Sequence, residues 1–344
     1  CYRPDMLFTL PIAIGMVMYY EGYEVRPRAA LRIAGFAILG VAMLAKGPLG
    51  VLLPGLVLTL WHASRRRWLR ILELAPLALV ALAVYLPWFV ACARAMGADS
   101  ILYELYAQNV ARFLAGDRGH EQPVWYFFTN FWPDLIPWSF LVPPAIWWAV
   151  RARRRHDPKV AYLLWWFGTF LIFLSIAVTK RQLYLLPAYP AVALLLAPWL
   201  ARVGLAGPED GDAPSARAVR WYGAGMTALL ALLAVLMIGL YHANPTLVDR
   251  LELNEQQVEV ARAIRLPLAA LGAILGVAAV ALGVAWRRAD VRAILQRTTI
   301  AFVALYAVAY AIVVPGFQPT KTYRPQSEWI VARIGEEPVL GMVD

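Results

Sequence analysis

Nearly unbroken apolar stretches of about 15–20 residues recur from one end of this chain to the other, and that recurrence restricts it to a fold solvated by lipid. A helix crossing a bilayer needs about 20 such residues, at 1.5 Å of rise each. By that measure about ten spans are expected, over roughly 6–20, 31–45, 48–61, 75–93, 136–150, 160–178, 183–200, 221–241, 266–286 and 298–315. The second and third are short and meet at Lys46-Gly47-Pro48, where Gly and Pro break a helix. Composition agrees. Of 344 residues, 61% are hydrophobic and 16% charged, whereas a soluble domain carries about a quarter charged. One water-surrounded core cannot hold so much apolar surface, so the expected class is an all-α polytopic membrane protein.

The net charge of +10 would suit nucleic acid if it were clustered on one face. It lies instead in short loops between apolar runs, which is the pattern of membrane topology, and nucleic acid is not expected as a partner. The loops at 62–70, 151–159 and 287–297 are strongly basic, and those at 26–32 and 202–220 less so. All five fall on one side when the spans alternate, and that side is cytoplasmic by the positive-inside rule. The outer side then receives the Lys46 turn, the long segment 94–135, the Lys180-Arg181 turn, the loop 242–264 and the C-terminal tail. Two cysteines, Cys1 and Cys92, make neither a disulfide framework nor a metal site.

In segment 94–135, Tyr103, Tyr106, Val110 and Phe113 recur at helical spacing among Glu104, Gln108, Asn109 and Arg112, as in an amphipathic helix at the interface. The aromatic run Trp125 to Trp132 suits a belt at headgroup level. Residues 207–215 read as a flexible cytoplasmic loop. The spans carry few ionisable groups apart from Lys46 and Lys180-Arg181, which with Arg3-Pro4-Asp5 sit at outer helix ends. Lys46 alone could simply reach the headgroups. Basic residues gathered on the face where they are normally sparse point instead to an anionic ligand, a phosphate or pyrophosphate. His120, within Asp117-Arg118-Gly119-His120-Glu121, is either a solvated loop histidine or a metal ligand or general base. Asp5 either caps its helix beside Arg3 or offers a carboxylate to a metal. The chain has no P-loop, HExxH, GxSxG or dinucleotide glycine pattern, so no nucleotide cofactor is expected.

Taken in order, Arg3-Pro4-Asp5-Met6-Leu7, Lys46-Gly47-Pro48-Leu49-Gly50, Tyr106 to Phe113, Gly119 to Phe127, Pro137-Trp138 and Lys180 to Pro190 resemble the glycosyltransferase 39 superfamily. They are similar to lipid A aminoarabinose transferases and protein O-mannosyltransferases, all of the membrane GT-C fold. The resemblance covers residues 1 to about 200, and the last three spans match in hydropathy alone. It implies a polyprenyl-phosphate sugar donor, whose phosphate leaves as an acceptor hydroxyl attacks the anomeric carbon on the extracytoplasmic face of a bacterial inner membrane. The acceptor would be lipid A, a protein or another envelope glycan.

By resemblance, Lys46, Lys180, Arg181 and Tyr184 belong near the donor phosphate, with Asn109 and Arg112 on the interfacial helix that shapes the cavity. Asp5 and His120 would lie near a divalent metal, zinc by ligand type, with a third ligand from outside this stretch. The family's main catalytic acid lies in a first outer loop that would precede Cys1. The chain is therefore expected to be an inactive, N-terminally truncated transmembrane domain over 1–318, with an extracytoplasmic domain beginning over 319–344. An oligosaccharide ligase or polymerase of the same fold is the nearest alternative. A secondary transporter is the alternative from another class, although its binding groups would sit near the bilayer midplane.

Overall fold

The computed structural model describes residues 5–114, 121–151, 157–205, 213–250 and 255–313. The chain divides into two compact units, Cys1–Arg202 and Val203–Asp344. Among the described residues the secondary structure is helical, apart from one isolated bridge between Glu121 and Thr179. Seven helical stretches are long and apolar enough to cross a membrane, and the chain is a multi-pass membrane protein.

In the first unit, α1 (Asp5–Tyr20), α2 (Ala29–Lys46) and α3 (Leu49–Ser64) run up, down and up. A short α4 (Trp68–Leu72) leads into α5 (Leu74–Met96). The break at Lys46-Gly47-Pro48 occurs where the sequence placed it. Gly47 takes φ +68°, a left-handed value that favours glycine, and donates its N–H to Met43 O at 2.7 Å, closing α2 before proline can disturb it. The interfacial segment is helical as α6 (Ala98–Leu105), a wider turn over Tyr106–Ala111, and α7 (Arg112–Leu114). Next come α8 (Tyr126–Asp134), a 3-10 turn Trp138–Leu141 with α9 (Val142–Val150), α10 (Pro158–Ile176), a 3-10 segment Gln182–Ala188 and α11 (Tyr189–Leu205). Asp157 caps α10 through the Lys159 N–H at 2.9 Å, with Pro158 in the first turn.

Backbones approach closely in this unit because small residues face one another. A Cβ on Gly15 would lie 2.8 Å from Gly35 O, joining α1 to α2, and one on Gly40 would lie 2.6 Å from Ala81 O, joining α2 to α5. Close approach of this kind supplies packing that lipid tails cannot, since apolar burial drives little association within a bilayer. Tyr162 on α10 donates to Met16 O at 2.8 Å, and Trp166 Nε1 donates to Pro187 O at 3.1 Å, satisfying polar atoms that have no water to turn to. The aromatic run splits by helix face. Phe127 and Phe131 are buried, while Trp125, Phe128 and Trp132 stay exposed, so only part of it suits a belt.

The second unit holds α12 (Ala213–Arg250), α13 (Glu255–Arg287) and α14 (Val291–Val308), the last begun by Asp290 capping the Ala293 N–H. Here the structure corrects the expected outer loop 242–264. Helix continues through 242–250 and resumes at Glu255. Hydropathy marks where a helix leaves hydrocarbon, whereas its hydrogen-bond ladder ends only at a cap or a break. The stretch 207–215, expected as a flexible loop, is helical from Ala213, and residues 206–212 lie outside the described residues. The tail 319–344 lies outside them as well.

Replacing Gly40 by leucine is expected to cost about 1–3 kcal/mol through overpacking against α5 and to lower the unfolding temperature of the purified protein. Gly55→Ala, where nothing lies within 4 Å of the added carbon, is expected to leave it unchanged or raise it slightly.

Candidate functional site

A cavity of about 900 Å³ opens at one end of the first unit. The C-terminus of α2 and the start of α3 bring Lys46, Gly47 and Leu49 to it, and the first turn of α1 brings Asp5 and Phe8. Tyr85 and Trp88 come from α5, and Glu104, Gln108 and Asn109 from the interfacial helix. Thr179, Arg181, Gln182 and Tyr184 come from the connection between α10 and α11. The lining is an apolar wall of Phe8, Leu44, Leu53, Trp88, Phe113 and Leu183 with a polar rim. That division suits an amphiphilic ligand better than a free ion or a wholly polar sugar.

Lys46 is the centre of the polar side. Its Nζ donates to Asp5 Oδ1 at 2.5 Å and stands 5.2 Å from the Phe8 ring centroid and 4.9 Å from that of Tyr184. Both partners of the ion pair are partly buried, with side-chain exposures of 22% and 14%. Salt and water therefore screen the pair less than an exposed one. Asn109 Nδ2 donates to Leu105 O at 2.9 Å, one turn back, and its side chain lies against Gly47. The helix that carries it widens over Tyr106–Ala111, a distortion that often marks functional positions.

The connection after α10 is stitched down on two sides. Val178 N–H donates to Phe113 O at 3.0 Å, and Gln122 N–H donates to Val178 O at 3.3 Å. Lys180, expected among the phosphate contacts, does not line the cavity. It is 3% exposed, and its ammonium donates to Ala177 O at 2.5 Å and Gln122 O at 2.7 Å. Ala177 closes α10, so the cation meets the negative end of that helix and its orphan carbonyls. Burial holds the Lys180 pKa below the ordinary lysine value. Beyond it, Asp134 at the end of α8 accepts from Tyr189 Oη at 2.6 Å and from the Gln182 amide. These bonds fix both ends of the 3-10 segment that presents Tyr184.

Asp5, Lys46, Asn109, Arg181 and Tyr184, distant in sequence, thus share one cavity, and Lys180 serves the scaffold beside it. The Arg112 side chain and His120 lie outside the described residues. Sequence reasoning missed Glu104, Gln108, Tyr85 and Trp88 as lining residues. Glu104 and Gln108 are one turn apart and bonded at 3.2 Å, so the helix face that holds Asn109 could have revealed them. Among the described residues the ionisable lining is Lys46 and Arg181 with Asp5 and Glu104, so within it anion selection would rest on aimed donors.

The fold matches one already known. The chain superposes on ArnT from Cupriavidus metallidurans bound to undecaprenyl phosphate with a TM-score of 0.66 at 22% identity, over 89% of this chain and 53% of that one. The apo form gives 0.61 at 23% identity, over 90% and 53%. This chain has the GT-C fold of ArnT. In sequence it is similar to undecaprenyl phosphate-alpha-4-amino-4-deoxy-L-arabinose arabinosyl transferases. It is 34% identical to that of Pseudomonas paraeruginosa over 197 residues, and 31% identical to those of Enterobacter sp. strain 638 over 202 and Aeromonas salmonicida over 249. These matches cover 56%, 56% and 70% of this chain and 35%, 35% and 44% of the relatives, in that order. The chain therefore spans less than half the length of the relatives it matches. No family model matches it. The superposition takes in 89% of this chain and so reaches past residues 1 to about 200, where the motif resemblance stops.

Lys180→Ala is expected to remove about 1–3 kcal/mol of stability by stripping two carbonyls of their donor, seen as a lower unfolding temperature. Arg181→Ala, exposed at the rim, is expected to leave that temperature within error.

Proposed function

We propose that this chain is the cavity-bearing part of an inner-membrane glycosyltransferase that takes a sugar from a polyprenyl-phosphate carrier on the extracytoplasmic face. The observation that carries the reading is the convergence of Lys46, Arg181 and Tyr184 on the rim of an apolar-walled cavity at one membrane boundary. A lipid phosphate has the same division, a charged head on a hydrocarbon tail. The ArnT fold and the names of the relatives support an amino-sugar donor on undecaprenyl phosphate. Lipid A is one of the acceptors the motif resemblance implies, beside a protein or another envelope glycan.

In the transfer, an acceptor oxygen attacks the anomeric carbon, the bond from that carbon to the phosphate oxygen breaks, and its electron pair leaves on the phosphate. Negative charge grows on that phosphate. Lys46 keeps two of its three N–H donors beyond the one held by Asp5, and Arg181 adds a planar fork, so both can stabilise the departing group. Asp5 holds the ammonium in place, and the Tyr184 ring beneath it limits where it can swing. Polar groups at one boundary do not favour transport, whose sites lie near the midplane. The outer orientation follows from the basic loops at the opposite end. A division at 318/319, with an outer domain following, belongs to the same proposal.

Among the described residues no group of three metal-ligating side chains occurs, and the one carboxylate expected to bind, Asp5, already accepts from a cation at 2.5 Å. No step is routed through a metal. Purified protein and its His120→Ala variant are expected to return the same zinc content, and a loss confined to the variant would restore the ligand role.

Lys46→Ala and Arg181→Ala are each expected to weaken binding of a polyprenyl phosphate at least tenfold, a charged hydrogen bond being worth about 1.5–3 kcal/mol. Titration of each variant with the carrier lipid checks this, and unchanged affinity in both would remove the cavity from donor binding.

A further inference from the structure

A second cleft, of about 670 Å³, lies where α1, α2 and α3 end on the other side of the membrane. Helix α2 runs from Ala29, next to the cleft, to Lys46, in the cavity, and its 18 residues span about 27 Å. Cleft and cavity therefore lie at opposite boundaries of one bilayer. Arg32, Arg66, Arg67 and Arg70 line the cleft. Two carboxylates answer them. Glu24 pairs with Arg67, and Glu73 pairs with both Arg70 and Arg32, the latter at 2.9 Å. Four cations against two anions leave an excess of two positive charges.

The arginines are arranged as well as numerous. The Arg67 and Arg70 guanidinium carbons stand 5.5 and 5.6 Å from the centroid of one Tyr23 ring, so two like charges share a single aromatic platform. Arg66 turns the chain at φ +56°, a left-handed value uncommon outside glycine, asparagine and aspartate, and enters none of the ion pairs among the described residues. On the rim, α4 leaves Trp68, Leu69 and Leu72 exposed at 63%, 79% and 70%. A tryptophan and two leucines beside a basic cleft suit the boundary between headgroups and acyl chains.

We propose that this cleft binds the phosphodiester headgroup of an anionic phospholipid in the cytoplasmic leaflet, with the acyl chains against α4. The excess charge selects an anion, the guanidinium forks match phosphate oxygens, and the exposed apolar rim distinguishes a lipid from a free ion. Topological charge alone requires basic residues here. It requires neither a cleft nor arginines held on a shared ring. The proposal does not rest on the reading of the outer cavity.

Native mass spectrometry of the detergent-purified full-length protein, titrated with phosphatidylglycerol or phosphatidylcholine, tests it. The unmodified protein is expected to retain phosphatidylglycerol preferentially. Arg66→Ala with Arg70→Ala, which leaves Glu73 its Arg32 partner and Glu24 its Arg67 partner, is expected to weaken that retention roughly fivefold per arginine. Lysine at both positions is expected to restore most of it. Arg287→Ala with Arg288→Ala, in the basic connection between α13 and α14, is expected to change nothing. Equal retention of the two lipids, or an equal loss in the Arg287/Arg288 pair, would overturn the site. Displacement of the lipid by millimolar inorganic phosphate would overturn its assignment to a lipid.

Discussion

Hydrocarbon offers no partner to a backbone amide or carbonyl, and the rest of this structure is arranged around that fact. Helices satisfy their own ladders, so the described residues form helices almost throughout. Their side chains then gain little by hiding from one another, because lipid is as apolar as leucine. Cohesion comes instead from close backbone contact at Gly15, Gly35 and Gly40 and from buried donors such as Tyr162 and Trp166. Polar residues are driven to the helix ends, where water and headgroups begin. A chain built this way places its chemistry at two boundaries and keeps its middle inert.

At the cavity the governing pair is Lys46 with Asp5. It neutralises a cation that the cavity would otherwise hold unpaired, and it orients that cation over Tyr184. Among the described residues that line it, Lys46 and Arg181 are matched by Asp5 and Glu104, so their charge alone does not select a phosphate there. Recognition then depends on the direction of N–H groups at close range, in surroundings less polar than water. The Lys180 ammonium, one residue before Arg181, satisfies the end of α10 and so holds the connection from which Arg181 and Tyr184 reach the cavity.

Much of this was legible in the residues. Apolar runs located helices, seven of them long enough to span among the described residues and α1, α3 and α9 shorter than the ten expected spans required, and Gly47-Pro48 located the turn, because each signal is local and each has one physical cause. Helix ends in the second unit were not legible. Residues 242–250 are polar enough to leave the bilayer and contain the breaking pair Asn244-Pro245, yet the helix runs through them. The outcome for Lys180 was not legible either. A lysine facing a cavity and a lysine turned under a helix terminus have the same sequence neighbours, and only the place of Gln122 in space separates them. Glu104 and Gln108 were visible as a polar face, yet only packing shows which way that face turns.

The three helices joined by glycine also act as a ruler. Side chains that interlock can slide or repack, whereas backbones in contact cannot shorten, so the rise from Arg32 to Lys46 is fixed at ~21 Å within the ~27 Å of α2. Typical hydrocarbon is about 30 Å thick, and each ångström of hydrophobic mismatch costs a fraction of a kcal/mol. A thicker bilayer would draw the Lys46–Asp5 pair or the Arg32–Glu73 pair toward oil, the environment that charged groups tolerate least. Bilayer thickness is thereby tied to how far each polar end stands in reach of its own leaflet.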